Sequence, residues 1–385
     1  MLPFIDLQAQ RARIEDEINS AVMSVIESGR YVLGPEVAEL EQKLATFSQA
    51  KRCVACANGT EALALPLMAW EIGPDDAVFC PSFTFAATGE VIPWLGASPV
   101  FVDIDPVTYN IDPEHLEAAI EQVKIEGKLT PKAIIAVDLF GQPANYPEIS
   151  RIAKAHGLKL IADSAQGFGC TLNGKHPMHW ADAVTTSFFP AKPLGCYGDG
   201  GAVLTNDDEL ADLIDSLHVH GKATPKDISD NEFEHDPKYF NMRIGMNSRL
   251  DTIQAAILLE KLKVFDEEIM LRDKIAARYN ELLAPHVLAV PGMIDGGKSV
   301  WAQYTIEHEN RDALGAHLKT QGVPSAVYYP MPMHKQGVYA PYPVGPGGLP
   351  VTDAKSKTVI SLPMHPYLSE ADQDKVVNAV RSFAA

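Results

Sequence analysis

The 385-residue chain is short of positive charge: 32 lysines and arginines stand against 50 aspartates and glutamates, a formal net charge of −18. Such a balance opposes general affinity for nucleic acid, and an anionic ligand must find a locally basic site. Long apolar runs are lacking too. No stretch approaches the ~20 residues of a membrane-spanning helix, and the start Met1-Leu-Pro-Phe-Ile-Asp6 has no basic region ahead of an apolar one. A cytoplasmic protein without a membrane partner is expected. Cysteine is scarce: Cys53, Cys56, Cys80, Cys170 and Cys196 are an odd number in apolar contexts, which fits buried, reduced thiols. Cys53-x-x-Cys56 has no second pair, so it reads as packing in a strand rather than as half a zinc site. The pairs His176/His179 and His218/His220 have no carboxylate cluster beside them, and no metal is expected. Repeats and low-complexity tracts are absent.

What is present centres on Lys192, in Ser187-Phe-Phe-Pro-Ala-Lys192-Pro-Leu-Gly195-Cys-Tyr-Gly198-Asp-Gly200-Gly201. An amine attacks a carbonyl only after losing its proton, and an apolar, glycine-walled setting lowers a lysine pKa by penalising the charged form. Taken alone, the residue also reads as an ordinary loop lysine. Its partners lie upstream. Asp163 ends the apolar run Leu158 to Ala162, where a carboxylate can hold a pyridine nitrogen protonated, or can simply cap the next helix. Gln166, three residues on, is placed to reach a ring hydroxyl. Asn58-Gly59-Thr60-Glu61 reads as a turn opening a helix, whose free amides suit a phosphate.

Short apolar runs alternate with helical patterns, as in a sheet covered on both faces. Strands are expected at 52–56, 77–80, 99–102, 133–137, 158–162, 184–188 and 202–205, with helices at 59–70, 146–156 and 207–218. After Asn206 the alternation fades into a long helical pattern from Ser248 to about Leu283. The remainder reads as a strand at 301–306, a helix at 311–321, a strand at 325–329 and a last helix from Glu370. Gly221 to Phe240 is long, polar and poorly periodic, and is expected to order at a subunit interface or over a substrate.

These residues resemble the DegT/DnrJ/EryC1/StrS aminotransferases, fold type I enzymes that use pyridoxal 5'-phosphate to aminate nucleotide-linked keto sugars. The resemblance runs through Phe4-Ile-Asp-Leu-Gln8, Gly34-Pro35, Asn58-Gly-Thr-Glu-Ala-Leu63, Pro81-Ser-Phe-Thr-Phe85 and Val137-Asp-Leu-Phe-Gly-Gln-Pro143. It continues through the Asp163 and Lys192 motifs, Ile244-Gly-Met-Asn-Ser-Arg249-Leu, Tyr328-Tyr-Pro-Met-Pro-Met-His334 and Ser361-Leu-Pro-Met-His365. It implies an α/β fold: a large, mostly parallel sheet domain flanked by helices over 1–260, and a smaller C-terminal α+β domain over 261–385.

The resemblance also implies roles. Lys192 would bind the cofactor covalently and shuttle the proton, and Asp163 would pair with the pyridinium. Gln166 would bond the ring oxygen and Phe85 would stack on the ring. Gly59 and Thr60 would hold the phosphate through their amides, with the Ser187 hydroxyl as a further donor. Asn247 would reach that phosphate from the neighbouring subunit of a homodimer, where Arg249 would meet the substrate. Tyr329 and His334 would lie near the sugar nucleotide. Trp301-Ala-Gln-Tyr304 and Tyr328 to His334 look most like relatives acting on UDP-linked 3-keto sugars in surface polysaccharide or lipopolysaccharide pathways, with L-glutamate as donor. A 4-keto sugar aminotransferase of the perosamine-synthase kind is the alternative, and a non-catalytic regulator on the same fold is another. A dehydratase variant would carry histidine in place of Lys192. Asp138 departs from many relatives, which have histidine there, and the departure bears on the substrate pocket.

Overall fold

A computed structural model describes residues 2–384. Eleven strands are formed among the described residues: β1 (Arg52–Cys56), β2 (Asp76–Pro81), β3 (Ser98–Val102), β4 (Thr130–Val137), β5 (Lys159–Asp163), β6 (Thr171–Leu172), β7 (Ala183–Ser187), β8 (Gly201–Thr205), β9 (Gly297–Lys298), β10 (Tyr304–Glu307) and β11 (Val359–Leu362). Seven build one sheet in the order β1-β8-β7-β5-β4-β2-β3. Its centre is parallel, and β8 runs antiparallel to both neighbours. The strands read as continuous apolar runs because helices cover both faces. One layer of core holds Leu40, Leu44, Ile149 and Phe265, and the other holds Leu63, Leu67, Val91 and Ile92.

All five cysteines are buried and free. Cys53 and Cys56 lie in β1, where their thiols pack into the sheet. Among the described residues no helix is long and apolar enough to cross a membrane.

The helix Thr252–Leu283 has 32 residues. Its first half packs Leu258 and Phe265 into the sheet core, and its second half carries Ile275, Tyr279 and Leu283 into a separate core with Tyr304, Leu314 and Val376. Residue 260 therefore lies within this one helix. The second core is closed by β10 and β11, an antiparallel pair, and by the helices Arg311–Thr320 and Glu370–Ala384.

The strand expected at 325–329 is not formed. That segment makes a single bridge, Ala326 to Ser361, because Pro324 and Pro330 bound it and proline has no N–H to extend a ladder. The polar segment 221–240 is also more structured than its composition indicated. It contains the helix Pro225–Asp230, capped by Thr224 and Asp227 in a reciprocal box and pinned by Arg243 to Asp227 at 2.7 Å.

Candidate active site

The carboxyl ends of β1, β2, β4, β5 and β7 point to one edge of the sheet, the edge where open α/β sheets bind ligands. Asn58 follows β1 and caps the helix Gly59–Ala69, its side chain accepting the Glu61 N–H at 2.8 Å. The Ala62 N–H returns to the Asn58 carbonyl. Among the described residues nothing occupies the amides of Gly59 and Thr60, which leaves two donors at the positive end of a helix. Ser187, the last residue of β7, presses against this turn. A Cβ on Gly59 would stand 2.5 Å from Ser187 Cβ and 3.0 Å from its Oγ, so the close approach requires glycine.

Asp163 ends β5 and is buried. Its Oδ2 accepts from the Thr88 hydroxyl at 2.8 Å, and its Oδ1 accepts from the Ala165 N–H at 3.1 Å. Burial pushes this carboxyl above its usual value, while Thr88, the Ala165 amide and the charge of Lys192 pull it down. Lys192 feels the converse: desolvation lowers its pKa and Asp163 supports its charge. The two are thus electrostatic neighbours, although 29 positions apart in the chain.

Lys192 sits in a tight turn, its N–H donating to the Phe189 carbonyl at 2.8 Å. The loop folds back sharply, and a Cβ on Gly195 would lie 2.6 Å from the carbonyl oxygens of Phe189 and Pro190. The long helix grips the loop from outside. Gln254 accepts the Tyr197 N–H at 2.8 Å, and the buried Lys261 donates to the Gly195 carbonyl at 2.6 Å.

Phe85 precedes the helix Ala86–Trp94, whose Thr88 reaches Asp163, and is 56% exposed. Gln166 follows Asp163 in the next turn. Its Oε1 accepts from the Phe140 N–H at 2.9 Å, which turns the amide nitrogen toward the Tyr329 hydroxyl at 3.0 Å. Burial raises the pKa of that hydroxyl, which accepts this bond from Gln166.

The remaining residues are placed differently. His334 lies against Ser82, with Nδ1 2.8 Å from the hydroxyl, and its Nε2 is 3.4 Å from Asp353. Desolvation lowers its pKa. Asn247 is exposed and pairs with Val219, and Arg249 follows on the same extended segment. Within the chain no hydrogen bond or ion pair among the described residues joins His334, Asn247 or Arg249 to Lys192, Asp163 or Gln166. Asp138, whose departure from the family pattern bore on the substrate pocket, is fully buried.

Thr88 was missed by the sequence reading. Its signal was the spacing Phe85-x-x-Thr88, which puts both side chains on one face of a helical turn.

This arrangement suits pyridoxal phosphate: two open helix amides and a hydroxyl for the phosphate, a half-exposed aromatic face, a buried carboxylate and a lysine with a lowered pKa. Residues 12–381 match the DegT/DnrJ/EryC1/StrS aminotransferase family. The chain belongs to this family. It is 49% identical over 373 residues to the UDP-2-acetamido-2-deoxy-3-oxo-D-glucuronate aminotransferase of Pseudomonas aeruginosa, covering 96% of this chain and 97% of that protein. It is 43% identical to a pleiotropic regulatory protein of Geobacillus stearothermophilus, over 99% of this chain and 98% of the relative. The crystal structure of a DegT DnrJ EryC1 StrS aminotransferase from Brucella abortus superposes with a TM-score of 0.95 at 54% identity, covering 100% of both chains.

Proposed function

We propose that the protein is a pyridoxal-phosphate-dependent aminotransferase that moves an amino group from L-glutamate to a UDP-linked 3-keto sugar. It would serve amino-sugar and surface polysaccharide or lipopolysaccharide biosynthesis in the cytoplasm as a homodimer. The observation that carries the reading is the coupling of Lys192 to Asp163 at the sheet edge, where one charge-lowered amine and one buried carboxylate share a site. The UDP-linked 3-keto substrate is supported by the 49% relative.

When bound, pyridoxal phosphate supplies an electron sink that makes the hydrogen on the α-carbon of an amino acid acidic. The chain's residues act around that property. Gly59 and Thr60 bind the phosphate through N–H groups at the helix start, and Ser187 Oγ adds a donor. The Asp163 carboxylate holds a proton on the ring nitrogen, with Thr88 fixing one of its oxygens. Phe85 covers one face and excludes water. Lys192 Nζ, whose charged form burial disfavours, would take the proton from the donor α-carbon. Gln166 and Tyr329 form a hydrogen-bonded pair beside the ring oxygen. His334 contributes to the sugar-nucleotide wall, while Asn247 and Arg249 serve the site of the partner subunit.

A regulator without catalysis is opposed by the retained set of Lys192, Asp163 and Gln166, and the net charge of −18 opposes contact with DNA. The deciding experiment offers UDP-, GDP- and dTDP-linked 3-keto and 4-keto sugars with L-glutamate, scoring amino-sugar product. Turnover of the UDP-linked 3-keto sugar is expected. Preference for a 4-keto sugar overturns the substrate assignment, and no product from any sugar with cofactor-loaded protein overturns the aminotransferase reading.

A further inference from the structure

Asp138 is a buried charged group at this sheet edge that has no task in the mechanism proposed. It follows β4, whose last residue Val137 pairs with Asp163 on β5, and it is 0% exposed. A buried carboxylate is costly unless hydrogen bonds compensate it, and here they do. Oδ1 accepts from the Tyr146 hydroxyl at 2.7 Å and from the Ala144 N–H at 3.1 Å. Oδ2 accepts from the Ser164 hydroxyl at 2.5 Å, and the Asp138 N–H donates to the Asp163 carbonyl at 3.0 Å.

The far end of the same turn also rests on this side chain. A Cβ on Gly167 would lie 2.2 Å from Asp138 Cβ, so only glycine lets the chain close there. Asp138 therefore holds the turn from Asp163 to Gly167 at both ends. Between them is Gln166, whose carbonyl oxygen is fixed by Phe140, two residues beyond Asp138. Asp163 and Gln166 are both set from this one segment.

We propose that Asp138 is a positioning residue whose buried carboxylate locks the Asp163–Gly167 turn and, when ionised, places a negative charge behind Asp163, strengthening that carboxylate's hold on a proton at the cofactor ring. The inference rests on the pyridoxal phosphate reading. Tyr146, Cys170 and Asp163 are the titratable groups facing Asp138. Burial pushes its pKa up to about 7, with Ser164, Tyr146 and the Ala144 amide opposing and the charge of Asp163 adding to the rise. Above that pH the charge is present, which fixes the conditions for the test.

Wild type, Asp138→Asn and Ser164→Ala are loaded with pyridoxal phosphate at pH 8. Three quantities are read: the cofactor dissociation constant, the pH midpoint of the ring-nitrogen proton followed by nitrogen NMR of ring-labelled cofactor, and the melting temperature. Asp138→Asn keeps the shape and removes the charge. It should weaken cofactor binding about tenfold and lower the midpoint by roughly half a unit or more, because an opposite charge nearby favours the protonated form. Ser164→Ala keeps the charge and cuts one tie, so binding should weaken several-fold, by about threefold or more, with the midpoint nearly unmoved. Wild-type affinity and midpoint in Asp138→Asn overturn the proposal, whatever its melting temperature, since lost stability alone marks a packing residue. If Asp138→Asn does not fold, unchanged cofactor affinity in Ser164→Ala overturns it. Absence of a visible band in wild type is a different failure, of the cofactor reading itself.

Discussion

The Cα of Gly59 and the side chain of Ser187 meet so closely that a single added methyl on Gly59 would lie 2.5 Å from Ser187 Cβ. The helix start and the end of β7 are thus one surface, and the N–H and O–H donors they carry are spaced by that contact. Gly59→Ala should force the two apart, weaken pyridoxal phosphate binding by about tenfold or more and lower the melting temperature of the cofactor-free protein as well. Fluorescence titration with the cofactor checks this, and wild-type affinity would show that the turn has slack.

Borohydride treatment of the cofactor-loaded protein should fix the cofactor to Lys192, read as a mass increment on the peptide that contains it. Lys192→Ala should still bind the cofactor through its phosphate, because those donors lie on other elements, yet lose turnover by roughly a thousandfold or more. An adduct mapped to another lysine would remove the basis of the mechanism.

Asp163→Asn preserves shape and removes the charge that favours a protonated ring nitrogen, an effect of one to three pKa units, roughly. Both half-reactions should slow by orders of magnitude with a modest change in apparent donor affinity. Thr88→Val keeps the Asp163 charge and removes the hydrogen bond to Oδ2 together with the one shared with Thr84, so its loss should be much smaller, about tenfold. Single-turnover kinetics separates the two, and near wild-type rates in Asp163→Asn would make that carboxylate structural.

The homodimer proposal has a direct test, since the exposed Asn247 and its neighbour Arg249 have no tie within the chain to Lys192. Chains carrying Lys192→Ala are mixed with chains carrying both Asn247→Ala and Arg249→Ala, each nearly inactive alone. In a mixed dimer one composite site collects every lesion and the other is intact. With random exchange about half of the dimers are mixed, so about a quarter of wild-type activity should return. No recovery after demonstrated exchange would place Asn247 and Arg249 in their own chain's site.

Two buried histidines make stability depend on acid. Desolvation lowers His176 to about 3, and desolvation with the nearby Arg272 charge lowers His365 to about 4, both from 6.5. A histidine with a depressed pKa takes up its proton more readily when unfolded. The stability it contributes is therefore complete above pH 6.5 and is lost as pH falls toward those values, at roughly 1 kcal/mol per pH unit for each group. Neither nitrogen of His365 has a partner among the described residues, so His365→Phe strands nothing. Urea midpoints measured from pH 7 to pH 4.5 should fall less steeply in His365→Phe than in wild type.

The sheet and its cradle were legible because they rest on local signals. β1, β4 and β5 are apolar runs cut off by Asn58, Asp138 and Ser164, and helix 146–156 begins and ends where expected. Thr88 and Asp138 were harder, because their meaning lies in partners 75 and 26 positions away along the chain. No periodicity records such pairings. The segment 325–329 had the β-branched and aromatic content of a strand, but its flanking prolines and the edge position of β11 decided otherwise. The His334 motif was plain in the sequence, whereas its seat on Ser82 was not.

The helix Thr252–Leu283 is about 48 Å long, and both ends are committed. Near its start Gln254 and Lys261 hold the backbone of the Lys192 loop, and beyond Ile275 it supplies the second core. It works as a single beam shared by two loads, with no joint where they meet. A shift in the C-terminal part, such as a larger residue packed against Tyr279, tilts the same rod that clamps Gly195 and Tyr197. Substitutions in the second core will therefore be felt at the Lys192 loop as well, through the helix that the two share.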